Sequence, residues 1–461
     1  MSHQSVITFV LAIVLAVASL PLAAQTENQQ ARPENVPELL VKANSAYAEK
    51  DYLAFSRALE RLHVLRPYNG GYMYQLVIAY ALLDEKSKAY DVMVRMQRQG
   101  LGYDFDESPD TMNIRGTQVY DHVNDMLKTA SNPLGEADPA FVLPESVSLP
   151  ETISWDESRQ KFLIGTATEG SIIAVGLDGQ VTELIKANDE NGLWAILDIL
   201  VDTSRNRLWV TSSAIPSFSR FDPVDQGRSA LFEFNLKSLE LIHRYPVPVD
   251  GMPHTLGSMA LSSDGDIYIV DRTLPIIFRK VAGEQKIKAA VALRDMVSMR
   301  GIAIQPDGGL IYVADREMGI MVVDIKSARS RLLAVPATLN VGGIDGLYLK
   351  DNCLFMIQNG IMPQRVMRLQ LDSEGIEVVA VRPMAVSQPE FDFPSFGTLK
   401  DEQLYYFANS QSSINSGSTK AITVVSTPLE SSEDLTAPDV GSILRRAVKS
   451  SEESVEGSEK N

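Results

Sequence analysis

Cysteine is almost absent from this 461-residue sequence. Cys353 is the only one, so no disulfide can form within the chain. It begins an apolar segment, which favours a buried, inert thiol over a nucleophile. The sequence also lacks a Gly-x-Ser-x-Gly elbow, a Walker loop and a His-Glu-x-x-His zinc motif. Nothing in it indicates a haem, a flavin or a nucleotide, and no cofactor is expected.

Positive charge is scarce as well. Lys and Arg number 42 against 59 Asp and Glu, which gives a formal net charge of −17. Because nucleic acid phosphates would repel such a chain, nucleic acid is not expected as a partner. The same balance disfavours binding to an anionic membrane surface.

A long apolar run stands near the N-terminus. Residues 6–24 are almost wholly apolar and end in Ala23 and Ala24, small residues that suit a signal peptidase. We expect a signal peptide over residues 1–24 and export to the periplasm or the cell exterior, with no transmembrane span after processing. No Lys or Arg precedes the run, and a retained N-terminal anchor is the alternative. A lipoprotein is excluded because no Cys lies near the junction.

Residues 33–130 are predicted to be helical, because apolar residues recur there at helical spacing. A pattern repeats after 33 residues, since Tyr80 follows Tyr47 and Gly100 follows Pro67 at that interval. This period is typical of tetratricopeptide helix pairs. Such helices either hold a peptide in a groove or pack as a cap on the neighbouring domain.

A strand–turn–strand signature recurs along residues 151–429. Each copy has an apolar strand after a polar turn such as Ser263-Asp264-Gly265, at intervals of roughly 45–60 residues, which is typical of a four-stranded propeller blade. The apolar segments are 162–165, 208–211, 267–270, 311–314, 354–357 and 404–407. Because one blade cannot bury its own faces, the repeat predicts a mainly β fold, a six-bladed β-propeller over residues 138–429 preceded by the helical region.

The last blade has only three obvious strands of its own, ending at residues 421–426. Residues 140–143 form an isolated apolar segment after a linker at 132–137. We predict that this segment adds a fourth strand to the outer edge of the last blade and so closes the ring. The tail at 430–461 is rich in Ser and Glu and is predicted to be disordered.

The first strands of several blades resemble the senescence-marker-protein/gluconolactonase family. The resemblance rests on the sequences PETISWD at 150–156, DGDIYIVD at 264–271 and IDGL at 344–347, and it covers residues 140–429. It implies one divalent cation in the axial funnel, held by a Glu in blade 1, an Asn each in blades 3 and 4, and an Asp in blade 5. That cation would polarise a lactone carbonyl, while the Asp acts as general base or positions water.

The metal shell that the resemblance implies is incomplete here. Its Glu falls on Glu151 and its Asp on Asp345, but its two Asn positions fall on Gly257 and Arg300. Hard divalent cations favour six or more oxygen ligands, or carboxylates together with waters, and two carboxylates plus a glycine leave a thin shell. A cation about 4 Å from the Arg300 guanidinium would be opposed by about 4 kcal/mol at an effective dielectric near 20. We therefore expect no metal, and we predict that Arg300 bridges Glu151 and Asp345 instead.

These residues allow three interpretations. They form a purely structural network, or a ligand-binding funnel together with Asp198 of blade 2, or a catalytic site with Glu151 and Asp345 as residual metal ligands. His254, in the loop entering blade 3, is a further catalytic candidate as a general base near carboxylates, or else a solvent-exposed loop residue.

An insertion at residues 213–228 interrupts blade 2 between its second and third strands. It carries aromatic and Arg residues, the types that are enriched at binding sites. It is expected to contact either the helical cap or an external ligand.

The sequence favours an exported, non-catalytic propeller that binds a small molecule or a protein of the cell envelope. The alternative is a metal-dependent lactone or ester hydrolase of the gluconolactonase-like kind, with calcium or zinc as its cation. A third hypothesis is a propeller that recognises a peptide or an envelope component through the blade 2 insertion. The sequence alone leaves open whether the protein is an enzyme.

Overall fold

The computed structural model describes residues 35–410 and 421–430. The expected signal peptide at residues 1–24 and the tail at 431–461 lie outside the described residues. In the described ranges, a helical region comes first and β-strands follow. No helix in these ranges combines the length and the apolar character that crossing a membrane requires.

The helical region is built from consecutive helices that pack on one another. The α-helices are α1 Val36–Ala48, α2 Tyr52–Leu65, α3 Gly70–Leu82, α4 Lys86–Arg98 and α5 Gln118–Thr129. Asn35, Asp51 and Asn69 cap the first three, each accepting a hydrogen bond from a backbone N–H of the first turn. Tyr47 lies in α1 and Tyr80 in α3, one helix pair later, as the period predicts. That these pairs are tetratricopeptide repeats stays a prediction.

The β-strands form six antiparallel sheets, which are the blades of a propeller. From the innermost strand outward, blades 1 to 3 contain β3 Pro150–Asp156, β4 Lys161–Thr166, β5 Ser171–Val175, β6 Val181–Lys186; β7 Ala195–Asp202, β8 Arg207–Ser213, β9 Ser229–Asn235, β10 Leu241–Pro246; and β11 Leu256–Leu261, β12 Ile267–Asp271, β13 Ile276–Lys280, β14 Ile287–Ala292. Blades 4 to 6 contain β15 Met299–Ile304, β16 Leu310–Asp315, β17 Gly319–Asp324, β18 Arg329–Leu332; β19 Ile344–Lys350, β20 Cys353–Gln358, β21 Arg365–Leu371, β22 Val378–Val386, β1 Leu134–Gly135; and β23 Ser395–Lys400, β24 Gln403–Phe407, β25 Thr423–Pro428, β2 Asp138–Val142. The innermost strands contact one another in a closed ring.

The six-bladed propeller predicted from the sequence is confirmed. Each of the six apolar segments is the second strand of a blade. In the turn before the second strand of blade 3, the chain reverses at a glycine. Gly265 has a φ of +93°, which few other residues adopt, and its N–H donates to the Ser262 carbonyl at 3.0 Å.

Apolar side chains join every blade to both of its neighbours. Six hydrophobic clusters each draw their buried residues mainly from two adjacent blades. In the cluster between blades 6 and 1, the Phe162 ring lies 5.3 Å from that of Phe141 and 4.9 Å from that of Tyr405, between centroids. Each blade thus buries its two faces against different partners, and the ring has no free end.

The predicted closing strand is also confirmed. β2 comes from before blade 1 in the sequence and pairs with β25, with Phe141 opposite Val424 and Val142 opposite Thr423. Blade 6 is therefore assembled from both ends of the propeller sequence, which fastens the ring.

The linker predicted at residues 132–137 is partly wrong. Leu134 and Gly135 form the short strand β1, which pairs with Val386 and Ala385 and so adds a fifth strand to blade 5. Two residues are too few to produce a period in the sequence, so nothing in the pattern marks this strand.

The helical region packs against blades 4 and 5. Arg66 forms an ion pair with Glu317, in the loop between β16 and β17. Gly102 donates its N–H to the Met362 carbonyl at 2.9 Å, in the loop between β20 and β21. Ile361 of that loop joins the apolar cluster of the helices. The helices therefore sit as a packed cap, one of the two roles expected from the sequence.

Cys353 is buried, as expected. Its Sγ lies 3.0 Å from Oε1 of Gln370 and 3.2 Å from Nε of Arg368, inside blade 5. A thiol enclosed in this way is not exposed for reaction.

We predict that Phe141→Ala lowers the free energy of unfolding by about 3–5 kcal/mol, because it opens a cavity in the cluster that joins the closing strand to blade 1. Phe141 is 6% exposed, whereas its neighbour Val142 is 51% exposed. The control Val142→Ala should change stability by no more than about 0.5 kcal/mol. Urea unfolding of both variants measures this, and equal losses would contradict the role of Phe141.

Candidate functional site at the propeller axis

Every innermost strand has a β-bulge near its beginning. The pairing with the second strand shifts register at the corresponding place in all six blades. A bulge leaves residues unpaired and redirects their side chains. The unpaired residues are Glu151, Leu197, Gly257 with Ser258, Arg300 with Gly301, Asp345 and Phe396. The bulges thus bring the predicted residues Glu151, Arg300 and Asp345 to one end of the axis.

Glu151 pairs with Arg272, an arginine absent from the sequence-based prediction. Nη1 of Arg272 donates to Oε2 of Glu151 at 2.8 Å, and Nη2 donates to the Leu197 carbonyl at 3.3 Å. The guanidinium carbon lies 5.3 Å from the centre of the Phe396 ring. The Arg272 side chain is only 9% exposed, yet its Nε has no hydrogen-bond partner. Arg272 is therefore a fixed, desolvated cation.

Asp345 pairs with a second unpredicted arginine, Arg316. Nη1 of Arg316 donates to Oδ1 of Asp345 and to Oδ1 of Asn359, both at 2.8 Å. Asn359 in turn donates from Nδ2 to Oδ2 of Asp345 at 3.2 Å and to the Pro394 carbonyl at 2.9 Å. Both carboxylate oxygens of Asp345 thus have a donor within blades 4 and 5.

Arg300 lies in blade 4, between Arg272 of blade 3 and Asp345 of blade 5. Its Nε is 4.0 Å from Oδ1 of Asp345, which is beyond hydrogen-bond distance, and this buried nitrogen has no partner. Burial lowers the pKa of Arg300, and repulsion from Arg272 lowers it further. Arg300 thus lies within ion-pair distance of Asp345, but the expected hydrogen-bonded bridge to both Glu151 and Asp345 is wrong, because each acid has an arginine of its own.

Asp198 lies deeper, along an axial cavity of about 540 Å³ that the innermost strands enclose. It accepts hydrogen bonds from the Thr152 hydroxyl at 2.7 Å, the Ile199 N–H at 2.9 Å and the Met259 N–H at 2.7 Å. These donors come from blades 1, 2 and 3, so Asp198 ties three blades together. Burial raises the pKa of Asp198 to about 6, although the three hydrogen bonds oppose the rise.

His254 is buried beside the strand that carries Arg272. It is 3% exposed, so the interpretation as a solvent-exposed loop residue is wrong. Its Nδ1 lies 2.6 Å from Oδ2 of Asp271, and its Nε2 lies 3.1 Å from Oδ1 of Asp250. Both ring nitrogens are thus engaged, and His254 helps to hold the turn that follows β12.

A repeated dipeptide positions the two unpredicted arginines. β12 and β16 both end in Asp, and Arg follows each time, as Asp271-Arg272 and Asp315-Arg316. In both, Oδ1 of the Asp accepts the N–H groups two and three residues later, at 2.8–3.2 Å. The Asp orders the turn, and the Arg beside it reaches the axis. Each of these two predicted apolar segments is followed directly by an Asp-Arg pair. This repeated pair is the feature of the sequence that could have revealed the two arginines.

The residues at the implied metal positions do not fit a divalent cation. A Cβ on Gly257 would lie 2.7 Å from Nε of Arg272, so Arg272 fills the space where the blade 3 ligand would stand. Arg300 replaces the blade 4 ligand. In the described ranges, no group of three or more His, Cys, Asp or Glu side chains is placed to hold a metal. Guanidinium groups thus occupy the axis where the resemblance implies oxygen ligands.

The blade 2 insertion packs against blade 1. Phe218 is buried in the cluster that blades 1 and 2 share. Ser219 donates its N–H to the Thr168 carbonyl at 2.8 Å, and Nη1 of Arg220 donates to the Ala187 carbonyl at 3.1 Å. The contacts that hold this insertion are therefore inside the propeller itself.

The chain matches no protein-family model and no curated protein. Solved structures similar to it include virginiamycin B lyase from Staphylococcus aureus, at 14% identity over 60% of this chain and 82% of that chain, with a TM-score of 0.42. Another is luciferin-regenerating enzyme, at 14% identity over 64% and 95%, with a TM-score of 0.44. A third is regucalcin, a calcium-binding protein from Agrobacterium tumefaciens, at 14% identity over 64% and 97%, with a TM-score of 0.45. Likenesses this distant carry no conclusion about activity.

We predict that Gly257→Ala displaces Arg272 and lowers the free energy of unfolding by about 1–3 kcal/mol, because the new methyl group overlaps the arginine. The φ of Gly257 lies outside the left-handed region, so the added Cβ strains only the packing. In an Arg272→Ala background the same substitution should be nearly neutral. A double-mutant cycle by urea unfolding measures this coupling, and additive losses would contradict the contact.

Asp198 should make stability depend on pH. Its pKa is raised in the folded protein from an ordinary value of 3.8 to about 6, so the folded state binds a proton more tightly than the unfolded state. The contribution of Asp198 to stability is therefore most favourable below the lower value and is lost as the pH rises through about 6, by at most about 3 kcal/mol. The difference in free energy of unfolding between the wild type and Asp198→Asn should therefore change over this pH window. A difference that stays constant would refute the role of Asp198.

Proposed function

We propose that this chain is an exported propeller that binds a small molecule in an axial funnel and does not catalyse a reaction. The funnel is formed by the side chains of Glu151, Arg272, Arg300, Arg316 and Asp345. Export is supported by the apolar segment at residues 6–24, which ends in small residues.

The observation that carries this proposal is the state of Arg300. Its side chain is 33% exposed, so a ligand can reach it, while its buried Nε has no partner. A guanidinium donor without an acceptor is unfavourable, and a ligand that reaches the exposed part of the side chain can supply acceptors to its other N–H groups. Arg272 and Arg316 each donate to an acid, whereas Arg300 has no acid hydrogen-bonded to it, and this difference favours binding over scaffolding alone.

The same geometry argues against hydrolysis. Arg272 fills the space above Gly257, and Arg300 holds the other position where the family would bring an oxygen ligand. His254, the candidate general base, has both ring nitrogens within hydrogen-bond distance of Asp271 and Asp250. His254 is thus engaged in holding its turn and is not a free general base.

A thermal-shift screen of the full chain tests the proposed function. A library of anionic, neutral and cationic small molecules should contain at least one that stabilises the protein, by about 2.7 kcal/mol at one hundred times its Kd. That stabilisation should differ strongly from the wild type in Glu151→Gln and Asp345→Asn, which break the two pairs of the funnel and change its net charge. It should persist in Arg244→Gln, where the arginine stacks on Trp194 away from the axis.

Two outcomes would contradict this function. Ligands that stabilise both funnel variants by the same amount as the wild type would place binding elsewhere. Turnover of a lactone panel with calcium, zinc or manganese, abolished by Asp345→Ala, would show a metal-dependent hydrolase instead.

A further inference from the structure

We propose that the ligand of the funnel is an organic anion whose carboxylate or phosphate oxygens accept hydrogen bonds from Arg300, between Arg272 and Arg316. This inference rests on the proposed function, because it names the chemical class of molecule that the same funnel takes.

The charges of the funnel favour an anion. Three guanidinium groups face two carboxylates at the bulges, so one arginine has no acid hydrogen-bonded to it. The hydrogen bonds show which one, since Glu151 accepts from Arg272 and Asp345 accepts from Arg316. Asp198 lies deeper and gives its oxygens to Thr152, Ile199 and Met259. Arg300 is therefore the cation without a counter-ion in hydrogen-bond contact.

The donors of Arg300 match a planar oxyanion. A guanidinium offers five N–H groups in a fixed fork, and the fork suits the two oxygens of a carboxylate or two oxygens of a phosphate. Among the described residues, none accepts a hydrogen bond from Arg300. A cationic ligand would meet repulsion from three guanidinium groups, and a neutral amide would leave the excess charge without compensation.

The surrounding groups hold this charge in place before a ligand arrives. Arg272 is fixed by Glu151, by the Leu197 carbonyl and by the face of Phe396. Arg316 is fixed by Asp345 and Asn359. An anion therefore meets cations whose side chains are already ordered, which reduces the entropy lost on binding.

An apolar surface adjoins the charged groups. Phe396 carries Arg272 on its ring and also lines the axial cavity. The cavity, of about 540 Å³, is within the size range of sites for small organic molecules. An oxyanion bound at Arg300 could thus place an attached ring or chain against Phe396, at the entrance of the axial cavity.

Calorimetry on the full chain with three probes tests this inference. Benzoate carries a carboxylate on an aromatic ring, benzamide has nearly the same shape without the charge, and inorganic phosphate supplies the other oxyanion. We expect benzoate or phosphate to bind, with an affinity that falls as sodium chloride is added, and benzamide not to bind. Binding of only one of the two anions identifies which oxyanion the funnel prefers.

Two arginine variants locate the site. Arg300→Gln should weaken binding of the anion by about tenfold or more, because it removes a charge-assisted hydrogen bond. Arg300→Lys keeps the charge but not the fork, so it should lose less. Arg244→Gln, a change of the same kind outside the funnel, should have no effect. If Arg300→Gln fails to fold, the comparison of benzoate with benzamide in the wild type decides whether the funnel takes an anion.

The failures of this inference and of the proposed function are distinguishable. If neither anion binds, but a neutral or cationic molecule from the screen binds and is lost in Glu151→Gln and Asp345→Asn, the funnel is a binding site and the ligand class is wrong. Equal binding of benzoate and benzamide overturns the inference in the same way. If no molecule of any charge depends on the funnel, both fail.

Discussion

A propeller blade has two apolar faces and can bury them only between two other blades, so this fold exists only as a closed ring. Six clusters between adjacent blades meet that constraint, and the strand β2 completes the last blade from the far end of the sequence. Closure also places the first residues of the six innermost strands around one axis. The bulges at those residues then place Glu151, Arg300 and Asp345 within one funnel, although they are far apart in the sequence.

The funnel shows how charge is arranged in a partly desolvated space. Two acids are each matched with an arginine from the end of a second strand, and a glycine gives one of those arginines its room. The third arginine has no such partner. Arg300 lies within ion-pair distance of Asp345 but donates no hydrogen bond to it, and a partly buried charge with unmet hydrogen bonds is costly to retain unless it has a use. We attribute that use to an anionic ligand, and the absence of oxygen ligands at two implied positions agrees with this choice.

Most of the architecture was predictable from the sequence, but the pairing of acids with arginines at the site was not. The six second strands and the closing strand follow from apolar segments separated by polar turns, which are local patterns. Glu151, Arg300 and Asp345 were placed by their distance from those turns. Arg272 and Arg316 lie beyond the ends of other strands, and which acid each one meets depends on contacts between blades that spacing does not encode. The burial of His254 likewise depends on Asp271, which lies on the neighbouring strand.

The closing strand has a consequence for biosynthesis. A ribosome makes β2 before any blade and β25 after all the others, yet these two strands form one sheet. Blade 6 therefore cannot assemble until almost the whole propeller has been translated, and the faces of blades 1 and 5 that it covers stay bare until then. The final folding step joins the first and last parts of the propeller, and the order of translation delays it.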